Sequence, residues 1–351
     1  MRLLIVTQTV DQKDPVLGFV HRWIEEFSKY FEHIVVIGNA SGTYELPQNV
    51  EVYSLGKYPA VPGVSPSRDP LERVVRSLRY LWLIVSLRKK YDAVLVHMTP
   101  EHLVLGGPVF KLFNKKASLW YNHTTESPWL ALSAKFAQNI FHTSPYAAPT
   151  RFSQAKRMPA GIDTELFKPS GVKKIPQSIY FQGRVAPAKK VHILLEAFAE
   201  LYKKGVANKL TIVGPEDTSY TEPLKKKYSD LIKNNVVTFL GPREYILTPE
   251  LYESHNVSVN LTDRGNYDKT VLESMACGTP CVVSSDAFSD LIPKERIFVE
   301  GSAQSLARIL EKFMKLPEAE QNSLSKQCRE TVLPQSLPRL AKKIQEQLSH
   351  S

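Results

Sequence analysis

The chain has 351 residues, of which 43% are hydrophobic and 23% charged, a composition that excludes a disordered chain and suits two domains, each large enough for its own core. No apolar run reaches the ~18 residues a membrane span needs. The formal net charge of +10 admits nucleic acid, an anionic membrane surface or an anionic substrate as partner and does not choose among them.

The opening MRLLIVTQTV carries one basic residue and a short apolar run that gives way to polar residues, so it reads as a first strand and not as a signal peptide. DQKDPVLG follows as a loop, FVHRWIEEFSKYF as a helix and HIVVIGN as the next strand, which makes a βαβ unit. Phe19, Trp23, Phe27 and Phe31 form one apolar stripe at helical spacing. No G-x-G-x-x-G follows the first strand, which argues against a dinucleotide oxidoreductase. After the strand EVYSL, the stretch KYPAVPGVSPSRDP reads as an exposed loop that enters a long helix at about residues 71–90. In and around that helix Arg68, Arg73, Arg76, Arg79, Arg88, Lys89 and Lys90 accompany Val74, Val75, Leu78, Leu81, Trp82 and Val85. A basic helix lying on an anionic membrane has this make-up. We read the helix itself as a core helix with a solvated face and keep membrane contact for the domain as a whole.

DAVLVHM, EHLVLGGPVFKLF and ASLWYNH continue the βα alternation. His123 then falls just past a strand's carboxyl end, where open α/β sheets place ligands, among Tyr121, Asn122, Thr124 and Thr125. His97 ends another strand and competes with it; a histidine in such a place is as often structural. The helix WLALSAKFAQ and the strand NIFHTS lead to KRMPAGIDTELFKP and the low-complexity run KPSGVKKIPQ, where we place the domain boundary, near residue 169.

The second domain begins with SIYFQG. In FQGRVAPAKKVHILLEAF a strand ends at Gly183, Arg184 leaves it, and Lys189 precedes a helix whose Val191, Leu194, Leu195 and Phe198 face a sheet. Two fixed cations beside a helix start suit a diphosphate; alone they would read as a solvated basic loop. KLTIVGPED and NNVVTFLGPRE follow, then DRGNYDKTVLESMACGTP. Here Gly265 and Asn266 turn the chain, Asp268 is a good N-cap for a helix running to Ala276, and Gly278 stops it. The start of such a helix attracts an anion such as a diphosphate, and Glu273 lies one turn further in. Any parallel α/β domain contains a loop, a helix and a strand like CGTPCVV and need bind nothing. The cysteines Cys277, Cys281 and Cys328 are odd in number, with no second pair to complete a metal site, and read as reduced thiols of a cytoplasmic protein. The tail from residue 302 is helical, with Leu306, Ile309, Leu310 and Phe313 on one side. No nucleic-acid motif is present.

The wording VLESMACGTPCVVSS resembles the nucleotide-binding segment of glycosyltransferase family 4 (glycosyl transferases group 1), retaining enzymes of the GT-B fold. That fold is α/β, with two facing Rossmann-like domains, parallel sheets and a cleft between them. The resemblance is strong over residues 178–285, where the motifs also follow in family order, and weaker before. It implies an acceptor-binding domain over 1–168, a nucleotide-sugar-binding domain over 169–334 and a final helix over 335–351 crossing back to the first. Gly161, Asp163 and Phe167 match the family's Gly-x-Asp-x-x-x-Phe crossing.

On this resemblance Glu273 holds the ribose hydroxyls, Arg184 and Lys189 neutralise the departing diphosphate, and His123 lies beside the donor sugar. Gly18 and Gly183 let backbone approach the donor, Arg243 contacts base or phosphate, and Asp268, Lys269, Thr270 and Val271 form the turn near sugar and phosphate. The family's second glutamate, eight positions before Glu273, is Gly265 here, and Asp268 is either its substitute or simply the N-cap. The expected function is sugar transfer from a nucleoside diphosphate sugar of UDP or GDP type to a glycan or lipid-linked acceptor, with no metal and no other cofactor. Lys111, Lys115 and Lys116 suit such an acceptor at an anionic membrane surface, and we place the chain in the cytoplasm, in part at the inner face of the membrane. A catalytically silent nucleotide-binding scaffold and a sugar-nucleotide epimerase are the alternatives.

Overall fold

The structure is a computed structural model that describes residues 1–57 and 70–349; most of the expected loop after EVYSL, with Arg68, lies outside the described residues. The chain divides into two units, Met1–Gly161 with Leu337–Ser351, and Ile162–Ser336.

The first unit runs β1 (Arg2–Val10), α1 (Gly18–Phe27), β2 (His33–Ser41), β3 (Val50–Ser54), α2 (Pro70–Ser86), β4 (Ala93–His97), α3 (Pro100–Leu112), β5 (Lys116–Trp120), α4 (Pro128–Ser133), β6 (Asn139–His142) and β7 (Ala155–Arg157). Among the described residues its sheet has seven strands, in the order β3-β2-β1-β4-β5-β6-β7, and every pair is parallel. Side chains of a strand alternate between faces, so Leu3 and Ile5 of β1 join one core with Trp23 and Phe27 of α1. Leu4 and Val6 join the other, with Tyr80, Leu83 and Ile84 of α2, Leu103 and Phe110 of α3, and Leu130 of α4. Both faces are covered, which is why these strands read as continuous apolar runs.

The second unit runs β8 (Ser178–Gln182), α5 (Val191–Lys203), β9 (Lys209–Val213), α6 (Thr218–Lys227), α7 (Ser229–Lys233), β10 (Val237–Phe239), α8 (Thr248–Glu253), β11 (Val257–Asn260), α9 (Lys269–Ala276), β12 (Cys281–Val283), α10 (Ala303–Met314) and α11 (Glu318–Val332). Its described strands form a parallel five-stranded sheet, β10-β9-β8-β11-β12. The last helix, α12 (Leu337–Ser349), belongs to the first unit, where Leu340, Ala341, Ile344 and Leu348 are fully buried in the core that holds Trp23. Each large side chain sunk this way contributes about 1.5–3 kcal/mol. In both sheets the strand order reverses beside the unit's first strand, between β1 and β4 and between β8 and β11, and ligands of open α/β sheets bind at such switch points.

Two expectations change. The helix at residues 19–31 ends at Phe27; Phe31 is still buried, in the turn beyond it. The long basic helix, α2, does not put the expected apolar residues in the core. Tyr80, Leu83 and Ile84 are buried, whereas Val74, Val75, Leu78, Trp82 and Val85 are exposed. The helix is apolar on two faces, and the sheet can cover only one.

Gly161 closes the first unit with a φ of +69°, and a Cβ there would meet Leu340 Cδ2 at 2.3 Å and Trp23 Cζ2 at 2.8 Å; its carbonyl accepts the Trp23 indole N–H at 2.8 Å. Left-handed backbone and overpacking together predict that Gly161→Ala costs about 2–4 kcal/mol, read as an earlier denaturant midpoint; an unchanged midpoint would show that α12 is not held there. In the second unit Glu253 accepts hydrogen bonds from the Ser170 amide and hydroxyl and the Gly171 amide, between 2.6 and 3.0 Å. Burial raises its carboxyl pKa, but these donors outweigh burial and hold it below the ordinary value. The stability they give is present above the unfolded carboxyl range and lost as pH falls through the depressed pKa. Glu253→Gln should therefore lower stability by about 1–3 kcal/mol at neutral pH, and unfolding curves of variant and parent should converge in acid.

Candidate functional site

The site is built on the switch between β8 and β11. After β8 the chain passes Gly183, whose amide donates to the Val213 carbonyl at 2.9 Å, and then Arg184, whose exposed guanidinium has no hydrogen-bond or ion-pair partner among the described residues. A single 3-10 turn, Pro187–Lys189, leads into α5. Val191, Leu194, Leu195 and Phe198 of α5 are fully buried against the sheet, so packing of the helix fixes where Lys189 stands.

The segment after β11 is held by Asn260, the last residue of that strand. Its side-chain oxygen accepts the Thr262 hydroxyl at 2.5 Å, while its amide donates to Asp268 Oδ2 at 3.1 Å and Thr270 Oγ1 at 3.4 Å. Asp268 stands at the N-cap position of α9 but makes no side-chain cap bond to the helix, contrary to the expectation. Its Oδ2 receives both the Lys189 ammonium and the Asn260 amide, so the carboxylate joins the neighbouring loop to the end of β11. Gly278 ends the segment beyond α9 with a φ of +73°, the left-handed step that stops a helix.

Gly265 has a φ of +81°, and its amide donates to Asp286 Oδ1 at 3.3 Å. The turn there is left-handed, a conformation that disfavours a glutamate. Around it Lys190 pairs with Asp263 and Glu300, and Arg264 pairs with Asp286 at 2.6 Å. Tyr267 stacks on Phe288, with ring centroids 4.4 Å apart.

Inside α9, residues Val271 to Ala276 are all buried. Glu273 is 4% exposed and accepts the hydroxyls of Tyr245 at 3.1 Å and Tyr252 at 3.4 Å. Burial pushes its carboxyl pKa up, while the nearby Lys269 ammonium and the two tyrosine hydroxyls pull it back in part. Burial lowers the Lys269 ammonium, with Glu273 acting against that shift. A buried carboxylate and a desolvated cation thus share the first turn and a half of α9, at the end of the helix that attracts anions. Arg243, half-buried in the loop after β10, donates to the Pro242 carbonyl at 3.3 Å.

Of the expected residues, Lys189, Asp268, Lys269, Thr270, Val271 and Glu273 therefore come together, with Gly183 and Arg184 on the adjoining loop. Gly18 and His123 belong to the first unit. Gly18 opens α1, and its amide donates to the Asp14 carbonyl at 3.0 Å. His123 lies past the end of β5, its ring edge-on to Tyr121 at 5.5 Å, and partial burial lowers its pKa. The competing His97 is buried, 3.2 Å from Thr7 Oγ1 and against Trp23, so it is part of the core. Lys115 donates to the Tyr91 carbonyl at 2.6 Å. Sequence reasoning missed Tyr245, Tyr252 and Asn260. Only Asn260, a polar residue closing the apolar run VSVN, carried a local signal.

Residues 163–331 match the family Glycosyl transferases group 1. Curated relatives include Alpha-monoglucosyldiacylglycerol synthase of Streptococcus pneumoniae, 24% identical over 169 residues, and D-inositol 3-phosphate glycosyltransferase of Frankia alni, 28% identical over 141. The first match covers 47% of this chain and the second 36%; they span only 38% and 35% of the relatives' own lengths. Among solved structures, HepE of Anabaena in complex with UDP and glucose superposes with a TM-score of 0.77 at 18% identity, covering 100% of both chains. Sucrose-phosphate synthase of Thermosynechococcus elongatus gives 0.79 at 18% identity, covering 100% of this chain and 99% of its own. At such identity these likenesses speak for the fold, the α/β fold of the GT-B glycosyltransferases. The chain thus carries, over residues 163–331, a domain of the Glycosyl transferases group 1 family.

Proposed function

We propose that the chain is a retaining, metal-independent glycosyltransferase of family 4 that moves a sugar from a nucleoside diphosphate sugar to a glycan or lipid-linked acceptor. The observation that carries this reading is the buried Glu273 one turn inside α9, with Lys189 drawn to the start of the same helix through Asp268. Glu273 anchors the ribose hydroxyls. Arg184, which has no partner among the described residues, and Lys189, which exchanges Asp268 for phosphate, take up the negative charge that grows on the departing diphosphate. Amides at the start of α9 add to that stabilisation.

Lys269, Thr270 and Val271 bound the diphosphate and sugar side, Gly183 lets the loop approach, and Arg243 reaches base or phosphate. On the first unit His123 is the proposed sugar contact and Gly18 the proposed close-approach glycine. The reaction follows a front-face displacement, in which the acceptor hydroxyl attacks the anomeric carbon from the face the diphosphate leaves, the bond from that carbon to the diphosphate oxygen breaks, and the hydroxyl proton passes to the departing diphosphate. HepE, solved with UDP and glucose, supports a UDP donor over a GDP one, and the S. pneumoniae relative, an Alpha-monoglucosyldiacylglycerol synthase, supports a lipid acceptor. The net charge of +10 suits an anionic membrane surface as further partner, and the cytoplasm, in part at the inner face of the membrane, is the proposed location.

Gly265 favours a second reading. Where the family carries a glutamate, this turn offers only backbone, tied to Asp286, which suits a nucleotide-binding scaffold without transfer. A panel of donors, assayed for transfer and hydrolysis, separates the two readings.

A ligand that binds only the folded state raises the melting temperature. A nucleotide and nucleotide-sugar panel should therefore raise it for one diphosphate series, and Glu273→Gln and Arg184→Ala should each abolish that rise; Glu273→Gln keeps an acceptor for the tyrosines, so its own melting point should stay near the parent's. A series that shifts both variants as it shifts the parent would remove Glu273 and Arg184 from the site. Ribose anchoring needs the ionised carboxylate, and the Glu273 pKa is raised. Nucleotide affinity should then fall as pH drops from about 8 to about 5.5 in the parent, as titration calorimetry would show. A parent whose affinity is flat over that range would refute an ionised Glu273 as the anchor.

A further inference from the structure

We propose that the outward face of α2 is a docking surface for an anionic phospholipid bilayer; this gives the membrane contact proposed above a surface and rests on that reading. Leu71, Val74, Val75, Leu78, Trp82 and Val85 are between 38% and 68% exposed. At the helical repeat they fall within an arc of about 100°, directly opposite the Tyr80, Leu83 and Ile84 side chains that pin the helix to the sheet. Single exposed apolar residues are ordinary, but six in one unbroken stripe mark a surface made to be covered. In the same helical layer α3 exposes Leu112 and α4 exposes Trp129.

The charge around the stripe selects what covers it. The only acidic residue of α2 is Glu72, and it is paired with Arg76 at 3.2 Å. Arg79 is exposed on the helix beside the stripe and Lys89 is exposed just beyond its end, whereas Arg73 falls on the opposite side, that of Tyr80. An apolar face with a basic border, lying parallel to the sheet beneath it and carrying a tryptophan, has the make-up of a helix seated at the headgroup boundary. A second copy of the chain fits less well. The stripe is about 21 Å long and about one helix wide, far short of the ~800 Å² per partner of a stable interface. Paired stripes would also bring Arg79 and Lys89 of the two copies together without acids to offset them. An anionic bilayer meets the apolar stripe and the cations together. Among the described residues no helix is long and apolar enough to cross a membrane, so α2 lies on the surface and does not span.

The test is co-sedimentation of the full chain with phosphatidylcholine vesicles, with and without phosphatidylglycerol, for the parent, for Leu78→Asp/Trp82→Asp and for Arg79→Glu/Lys89→Glu. These side chains are exposed, so both variants should fold, as circular dichroism would check. The parent should bind the phosphatidylglycerol vesicles, less so at high salt. The apolar variant should lose about tenfold or more in affinity, and the charge variant should lose the preference for anionic lipid. A parent without that preference, or an apolar variant that binds like the parent, would overturn the proposal. So would a parent that sediments as a dimer, becomes monomeric in the apolar variant and binds no vesicles. The nucleotide-induced melting shift, measured on the same proteins, should not change in either variant. Its absence from the parent would count against the donor site and leave the vesicle result standing.

Discussion

The carboxylate of Asp268 ties together the two loops that make the candidate site. It receives the Lys189 ammonium from the loop after β8 and the Asn260 amide from the end of β11, so it joins the two strands between which the sheet order reverses. A parallel sheet delivers several loops to one edge but does not fix their side chains. Here a half-buried ion pair fixes them, and breaking one partner of such a pair leaves the other charge uncompensated. Asp268 makes no side-chain cap bond to α9, and the start of the helix remains the electropositive end that an anion would answer. The proposed donor therefore replaces an internal carboxylate as the partner of Lys189, an exchange of one charge-assisted bond for another.

Glu273 illustrates how far burial is tolerated when the group is satisfied. A carboxylate only 4% exposed is costly unless it is hydrogen-bonded or paired, and Tyr245 and Tyr252 supply the bonds while Lys269 supplies the charge. The tyrosines are themselves set by packing, Tyr245 against Phe167 and Tyr252 against Tyr180, with ring centroids 5.1 and 4.9 Å apart. The position of the carboxylate thus depends on the aromatic core beneath it. Arg184, by contrast, leaves the sheet exposed and without a partner among the described residues.

The first unit puts its chemistry on its surface. Its sheet is covered on both faces by helices whose inward sides are apolar, and α2 has a second apolar side left over. The cost of leaving six large apolar side chains in water is offset when a lipid surface takes them up. On the proposed reading, the exposed Arg79 and Lys89 near them set the sign of that surface.

Much was legible in the sequence. Apolar runs separated by helical repeats dictate a parallel α/β fold, because strands covered on both faces must be apolar throughout. The words around Glu273 placed α9 almost to the residue, since a turn, a short amphipathic stretch and a stopping glycine are local signals. The partner of each charged group was not legible. Asp268 read as a cap because capping is a local affair, whereas its bond to Lys189 spans 79 residues and exists only once β8 and β11 lie side by side. In the same way, helical spacing shows that α2 is apolar on two faces, but which face meets the sheet follows from how Tyr80, Leu83 and Ile84 fit against the strands. Periodicity is a property of the chain, and the choice of partner is a property of the packed structure.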